Sequence, residues 1–333
     1  MATLLSRAEK SYIITSLTSK PPLRHDGRGP VDYRLIGLAR GDSVAPLANG
    51  SAKIRVGGTE VVAAVRLEVE DIDLELDEGR MRCNVTCSPA AYPHLSANQQ
   101  DDIQKDLTSL LQSTFSPTKS HDSNGDSFTS VMSKSLTILP GRKAWTMYLD
   151  AVVLSDAGNV HDVLFLACRA AICDTRVPRT RAVEYAQPSK GSSTRRAGET
   201  GGEMDVEEEA DIWKTAVQSK RAARAADFEL EDTADEGGWL EGRERCPVAV
   251  TLNVLPTMHI LDATHAEEQA VPLKLVLIYS FATISTQKEG EFMGMRLLGP
   301  GQVPMAYLSG LIQEGETYAK QLVSALNVQM EIK

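Results

Sequence analysis

Residues 134–178 constrain this chain more than any other stretch. Residues 136–139 and 144–154 are short apolar runs rich in branched and aromatic side chains, with Pro140, Gly141 and Arg142 between them. That pattern reads as a β-hairpin. Asp156, Ala157, Gly158 and Asn159 then break the second strand. From Val163 to Ile172 apolar residues recur at helical spacing, Asp162 is available for the first turn, and Pro178 lies beyond the end. A strand, a glycine turn and a buried helix in succession can present backbone N–H groups and a helix N-terminus to an anion. Most such turns bind nothing, so the geometry alone assigns no ligand.

The flanking sequence supplies two further sets of strands and helices. Residues 50–70 alternate apolar and polar positions on either side of Gly57-Gly58, a two-residue hairpin connection, and residues 80–87 give another strand. Residues 99–115 place Ile103, Leu107, Leu110, Leu111 and Phe115 on one helical face, and the polar residues 116–133 read as a loop insertion. Strands are expected at 247–255, 258–261, 273–281 and 292–298, and a long amphipathic helix at 302–326. Strands followed by helices, twice over, give an α+β fold of two-layer sheet-and-helix halves. At the start, residues 3–19 fit an amphipathic helix, with Leu4, Leu5, Tyr12, Ile13, Ile14 and Leu17 among polar residues, ended by Pro21-Pro22.

Charge is distributed in blocks. The chain carries a net charge of −10 over its 333 residues, against the expectation for a free-standing nucleic-acid binder. Residues 176–196 nevertheless hold a net +5, and residues 199–245 a net −9. Block 176–245 has few branched apolar residues, too few to offset the entropy of ordering, and is expected to be a mostly disordered insertion. Within it, residues 210–226 could form an isolated helix. The domain plan is therefore an N-terminal arm at 1–30, a first half at 31–175, the insertion at 176–245 and a second half at 246–333. No apolar run approaches the length of a membrane helix, and the N-terminus, with Glu9 among its basic residues, reads as neither signal nor transit peptide. Five cysteines without paired short spacings point to reduced thiols.

Residues 134–178 resemble the middle of the ribonuclease PH fold. Three other segments agree with that family in the same order: Arg24-His25-Asp26-Gly27-Arg28, Cys87-Ser88-Pro89-Ala90-Ala91-Tyr92-Pro93, and Leu261-Asp262-Ala263-Thr264-His265-Ala266-Glu267-Glu268. Within the family the chain is most similar to catalytically silent ring subunits of the RNA exosome, of the ribosomal RNA-processing protein 42 type. The resemblance implies a non-catalytic structural subunit that supports 3′-to-5′ RNA processing and decay, including ribosomal RNA maturation. It implies other ribonuclease PH-like ring subunits and cap proteins as partners and RNA threaded through the ring, with no cofactor and no membrane. It places the protein in nucleus, nucleolus and cytoplasm. The alternative is an active phosphate-dependent 3′ exoribonuclease; a third reading is an unrelated α+β binding module.

Asp262 and Glu268 form the sharpest candidate pair. Two acidic groups just past a strand could hold Mg²⁺ or serve as acid and base. In active relatives, the resemblance implies, both positions are aspartates; here the second is Glu268. Phosphorolysis also needs inorganic phosphate held in line and its charge neutralised in the transition state. Active relatives use a Ser/Thr-Arg pair in the glycine turn, where this chain has Asn159 and Val160, followed by His161 and Asp162. Valine removes a bidentate phosphate partner and Asp162 adds repulsion. A second family arginine falls on Asn98-Gln99, which is neutral. The pair is thus vestigial and the phosphate site lost.

Other clusters carry less. Arg24, Asp26 and Arg28 read as a solvated turn with a local ion pair, and the resemblance makes their loop structural. Cys83 and Cys87 with His94 fall short of a zinc framework and read as core thiols, as do Cys168 and Cys173. Ser120-His121-Asp122 is adjacency in a polar loop, and no metal site is expected. Arg142 and Lys143, in the hairpin turn, are candidates to touch an RNA backbone, against the simpler reading of a solvated turn.

Overall fold

The computed structural model describes residues 5–71, 80–115, 128–183, 227–231, 237–281 and 290–331. Helix α1 (Arg7–Thr18) starts at a capping box. The Glu9 amide donates to the Ser6 hydroxyl, and the Glu9 carboxylate accepts from the Ser6 amide at 2.7 Å. Strand β1 (Ile36–Arg40) pairs with β2 (Gly50–Val56), and β2 turns through Gly57-Gly58 into β3 (Thr59–Asp71), with Val56 opposite Thr59. Alternation sends Ala52, Ile54, Val56, Val61, Ala63 and Val65 inward, as the period-two pattern requires.

Strand β4 (Arg80–Cys87), helix α2 (Ala97–Phe115), helix α3 (Phe128–Ser135), strand β5 (Thr137–Leu139) and the long strand β6 (Lys143–Ser155) follow. They complete a six-stranded sheet ordered β1-β2-β3-β6-β4, with β5 also on β6. Only the β4–β6 pair is parallel. Strand β4 lies at one end of this order, and α2 supplies partners to its main chain. Gln104, Thr108 and Gln112, one helical turn apart, accept from the amides of Cys87, Val85 and Cys83 at 2.8, 3.1 and 2.7 Å, and Gln112 also donates to the Met81 carbonyl. An unsatisfied strand edge invites pairing with other chains, and side-chain partners of this kind remove it.

Helix α4 (Val160–Cys173) is buried along its whole length, packed on β2, β3 and β6 and also against β11 (Val248–Val254) of the second half. Between them lie β7 (Arg176–Val177), β8 (Thr180–Val183), β9 (Asp227–Leu230) and β10 (Gly238–Trp239). The second sheet is antiparallel, ordered β12-β11-β13-β14, from β12 (His259–Leu261), β13 (Lys274–Ser280) and β14 (Glu291–Leu298). Short helix α5 (His265–Ala270) follows β12, and α6 (Met305–Met330) closes the chain over β11 and β13. Gly315 allows that closeness: a β-carbon there would stand 2.4 Å from Leu277.

The centre of α4 holds a charge that its apolar pattern hides. Arg169 is fully buried, donating to the carbonyls of Cys246 and Glu244 and to Asn327 of α6 at 3.2 Å. One side chain thereby ties the first half to the start of β11 and the last helix.

Two sequence expectations change. Residues 128–133 belong to α3, because Phe128 and Met132 are buried and Phe128 meets Phe115 edge-on at 6.0 Å; the rest of the expected loop lies outside the described residues. The expected insertion is ordered at both ends. Strand β8 pairs with β9 and β7 with β10, Phe228 packs on Trp145, and Leu240 is buried. A few aromatic and branched residues suffice there because each meets the first half. Residues 184–226, with the expected helix at 210–226, lie outside the described residues, as do Leu4 and Ser120-His121-Asp122.

Candidate functional site

The turn after β6 and the loop after β12 are stitched together. Thr59 accepts from the Ala157 amide at 3.0 Å and donates to the Gly158 carbonyl at 2.6 Å, while the Gly158 amide binds the Asp156 carboxylate. Gly158 has φ +100°, and a β-carbon there would stand 2.3 Å from the Ala263 carbonyl, so only glycine lets the two loops meet. The His265 amide donates to the Ala157 carbonyl at 3.0 Å.

Asp262 sits at the centre of this seam with no solvent exposure. Arg34 grips it bidentately, Nη2 to Oδ1 at 2.7 Å and Nε to Oδ2 at 2.8 Å, and the Arg34 amide adds a bond at 2.7 Å. Arg28 Nη1 reaches Oδ2 at 3.1 Å and Asn159 Nδ2 reaches Oδ1 at 3.1 Å. Burial alone would raise this carboxyl; the Arg34 hydrogen bonds outweigh it and hold Asp262 below the usual carboxylate range. Five donors leave little lone-pair capacity for a metal ion or a transferable proton.

Arg34 also reverses the polarity of the glycine turn. Its Nη1 donates to the Ala157 carbonyl at 3.1 Å and its Nη2 to the Gly158 carbonyl at 3.0 Å. Carbonyl oxygens therefore face a guanidinium where an anion site would need amides. The Asn159 amide, at the start of α4, is itself taken by Glu268 Oε1 at 3.0 Å, and Lys274 pairs with the same oxygen at 2.7 Å. The chain's own carboxylate stands at the helix N-terminus.

The structure brings Asp262, Glu268 and Asn159 together in a closed network. The loop at 24–28 joins it. Arg24 binds Glu267 through Nε–Oε1 at 2.9 Å and Nη2–Oε2 at 2.7 Å and donates to the Leu261 and Asp262 carbonyls, all buried. Arg28 keeps the expected local pair with Asp26 at 2.7 Å. Val160, in the first turn of α4, is buried and apolar. Asn98 and Gln99 are elsewhere in role. Both are exposed at the start of α2, where Gln99 accepts from the Ser96 amide at 3.0 Å as a helix cap.

Lys143 is an ion-pair partner of Asp227 at 3.3 Å and lies over the Phe228 ring, next to Arg142 in the β5–β6 turn. Cys83 and Cys87 face inward from β4; burial pushes their thiols up to about 12 and about 11, and His94 is exposed against His265. A cavity of about 730 Å³ lies elsewhere, between residues 254–259 and the start of α6. Reasoning from sequence passed over Arg34, Thr59 and Tyr33. None sits in a motif, and only the three-dimensional seam gives them partners.

Residues 32–178 match the sequence profile of the 3′ exoribonuclease family, domain 1. The chain carries a ribonuclease PH domain. A Dictyostelium discoideum protein described as a putative exosome complex exonuclease RRP42 is 25% identical over 82% of this chain and 84% of its own length. The exosome complex component Rrp42 of Thermoplasma volcanium is 32% identical over 54% of this chain and 64% of its own. The fold is that of a chain in an Archaeoglobus fulgidus exosome with RNA bound to the active site, with TM-score 0.64 and 18% identity over 96% of this chain and 97% of that one. The ribonuclease PH domain thus contributes the first sheet with β4, α2 and α4, and the seam at Asp262 joins it to the second half.

Proposed function

We propose that this chain is a non-catalytic structural subunit of an RNA exosome ring, working beside related ring subunits and cap proteins on RNA threaded through the channel. Its relatives named as exosome components support the assembly. One observation carries the absence of catalysis: the Asp262 carboxylate and the glycine-turn carbonyls are both committed to Arg34. Phosphorolysis would need that carboxylate free and a cationic pocket for phosphate. The chain offers a guanidinium already paired within the fold, with valine at 160 and a capping glutamine at 99. The subunit would shape the channel and support 3′-to-5′ processing and decay, ribosomal RNA maturation included, in nucleus, nucleolus and cytoplasm.

The test is an assay of purified chain, alone and mixed with related ring subunits, on single-stranded RNA with phosphate and Mg²⁺. The chain alone is expected to release no nucleoside diphosphates. In the mixture, Asp262→Asn is expected to leave any release by its partners unchanged once assembly is verified. Release by the chain alone that vanishes in Asp262→Asn would establish the phosphorolytic alternative.

A further inference from the structure

Asp162, in the first turn of α4, is fully buried, and its surroundings are unlike those of Asp262. No cation bonds it among the described residues. Its Oδ2 accepts from the Tyr33 hydroxyl and from Asn159 Nδ2, each at 3.1 Å. The same Asn159 nitrogen serves Asp262, so one amide links two carboxylates, of which only Asp262 has arginines to balance it. Asp162 Oδ1 is buried with no partner, and so is the Thr251 hydroxyl of β11, its neighbour across the seam. A buried acceptor and a buried hydroxyl left unpaired side by side are costly. The Thr251 hydroxyl donating to Oδ1 supplies that bond and favours the ionised form, but full burial, the want of a paired cation and the nearby Asp262 carboxylate outweigh it.

We propose that Asp162 is held protonated in the folded chain near neutrality, making the seam between the two halves a proton-sensitive joint. The inference is independent of the ring-subunit reading, since it concerns only how the halves are held together. Two carboxylates sharing an amide in a dry site do not ionise together readily, and the arginine-bound Asp262 is the one that stays charged. The charged and titratable groups facing Asp162 are consistent with this. Tyr33 approaches from before β1, itself pushed well above the usual tyrosine range by burial and by Asp162. Asp262, with Arg34 and Arg28, lies behind Asn159; Tyr318 of α6 bears on Tyr33; His161 is the adjacent residue on α4. Burial pushes the Asp162 carboxyl up to about 7, within reach of ordinary changes in pH.

Loss of that proton to solvent leaves an uncompensated carboxylate at the joint. The folded state binds one more proton than the unfolded chain between about pH 4, the unfolded value, and about pH 7. Asp162 therefore lowers stability progressively as pH rises through that window, and its effect is constant above it.

Infrared difference spectra of the full chain and Asp162→Asn, taken between about pH 5 and about pH 9, read the proton directly. The parent is expected to show a protonated-carboxyl band near neutrality that is absent from Asp162→Asn and disappears toward the alkaline end. Thr251→Val, which removes a donor to the ionised carboxylate, is expected to raise the midpoint of that band. Absence of the band near neutrality would mean an ionised Asp162 and would overturn the proposal. A midpoint unmoved or lowered by Thr251→Val would overturn the role of Thr251 as a donor to Asp162.

Discussion

Asn159 and Asp262 both hold left-handed backbone conformations, φ 61° and 44°, and bond to each other through Asn159 Nδ2 at 3.1 Å. Residues other than glycine adopt this region at a cost, and asparagine tolerates it best. The two strained positions face each other across the seam, so the hydrogen bond offsets backbone energy on both sides. Asn159→Gly keeps the backbone free and loses the amide; it should destabilise the chain by about 1–3 kcal/mol. Asn159→Ala loses the amide and adds the left-handed penalty, a further cost of about 1 kcal/mol. Urea unfolding midpoints of the two variants check the order. Equal midpoints would show that the backbone conformation contributes nothing.

Asp262 should behave as a structural group in its pH dependence. Its folded carboxyl lies below the ordinary range, so its contribution is fully present above the unfolded value of about 4 and is lost as pH falls through the folded value. Asp262→Ala, which strands Arg34 and Arg28, is expected to cost about 3–5 kcal/mol near neutrality. Asp262→Asn should lose less and should shallow the acid limb of the stability profile relative to the parent. Thermal unfolding across the acid range measures both; an acid limb unchanged in Asp262→Asn would remove Asp262 from the linkage.

The Arg24–Glu267 pair tests geometry as well as charge. It is bidentate, buried and joined to the carbonyls of Leu261 and Asp262. Arg24→Lys keeps the charge but has no planar fork, so it should recover little of the roughly 3–5 kcal/mol expected for Arg24→Ala. A lysine variant as stable as the parent would mean that charge alone suffices.

Helix α2 protects β4 through polar side chains. Thr108→Val leaves the Val85 amide without its acceptor and should cost about 1–3 kcal/mol. Amide exchange at Val85 should rise by a similar factor in free energy while that at β6 is unchanged. Uniform exchange changes across the sheet would point to a general packing loss instead.

How much of this could be read from sequence depends on the range of the interaction. The Gly57-Gly58 hairpin, the β5–β6 hairpin and the buried helix at 160–173 follow from local pattern, because turn residues and apolar period act over a few positions. The meeting of Asp262, Glu268 and Asn159 was legible through the family resemblance. The occupants of that meeting place were not. Arg34 lies 228 residues from Asp262 and carries no motif. Arg169 sits in an apolar helical run and finds its acceptors 75 and 77 residues away. Gln104, Thr108 and Gln112 look like the solvated face of a helix until β4 is set beside them. Long-range polar pairing leaves no periodicity for a sequence to display.

The N-terminal helix packs on the chain's own second half, which narrows what it can offer a neighbouring subunit. From sequence, Leu4, Ile13, Ile14 and Leu17 are candidates for a surface that meets a neighbouring subunit. Leu17 is instead buried and Ile13 partly buried, packed with Leu255, Ile260, Ala263, Ala270 and Val271 of the chain's own second half. Ile14 is exposed, and Tyr12 is 73% exposed. Ile13→Asp should therefore lower the unfolding temperature of the isolated chain, because it puts a charge against an apolar cluster. Tyr12→Asp should leave that temperature unchanged. If the open side of α1 faces a related ring subunit, Tyr12→Asp should weaken pairing by about tenfold, about 1.4 kcal/mol, as loss of an aromatic contact at an interface does. Sedimentation of the mixed subunits reads the affinity, and thermal unfolding of each chain alone separates folding from assembly. A Tyr12→Asp chain that pairs as tightly as the parent would take α1 out of the interface.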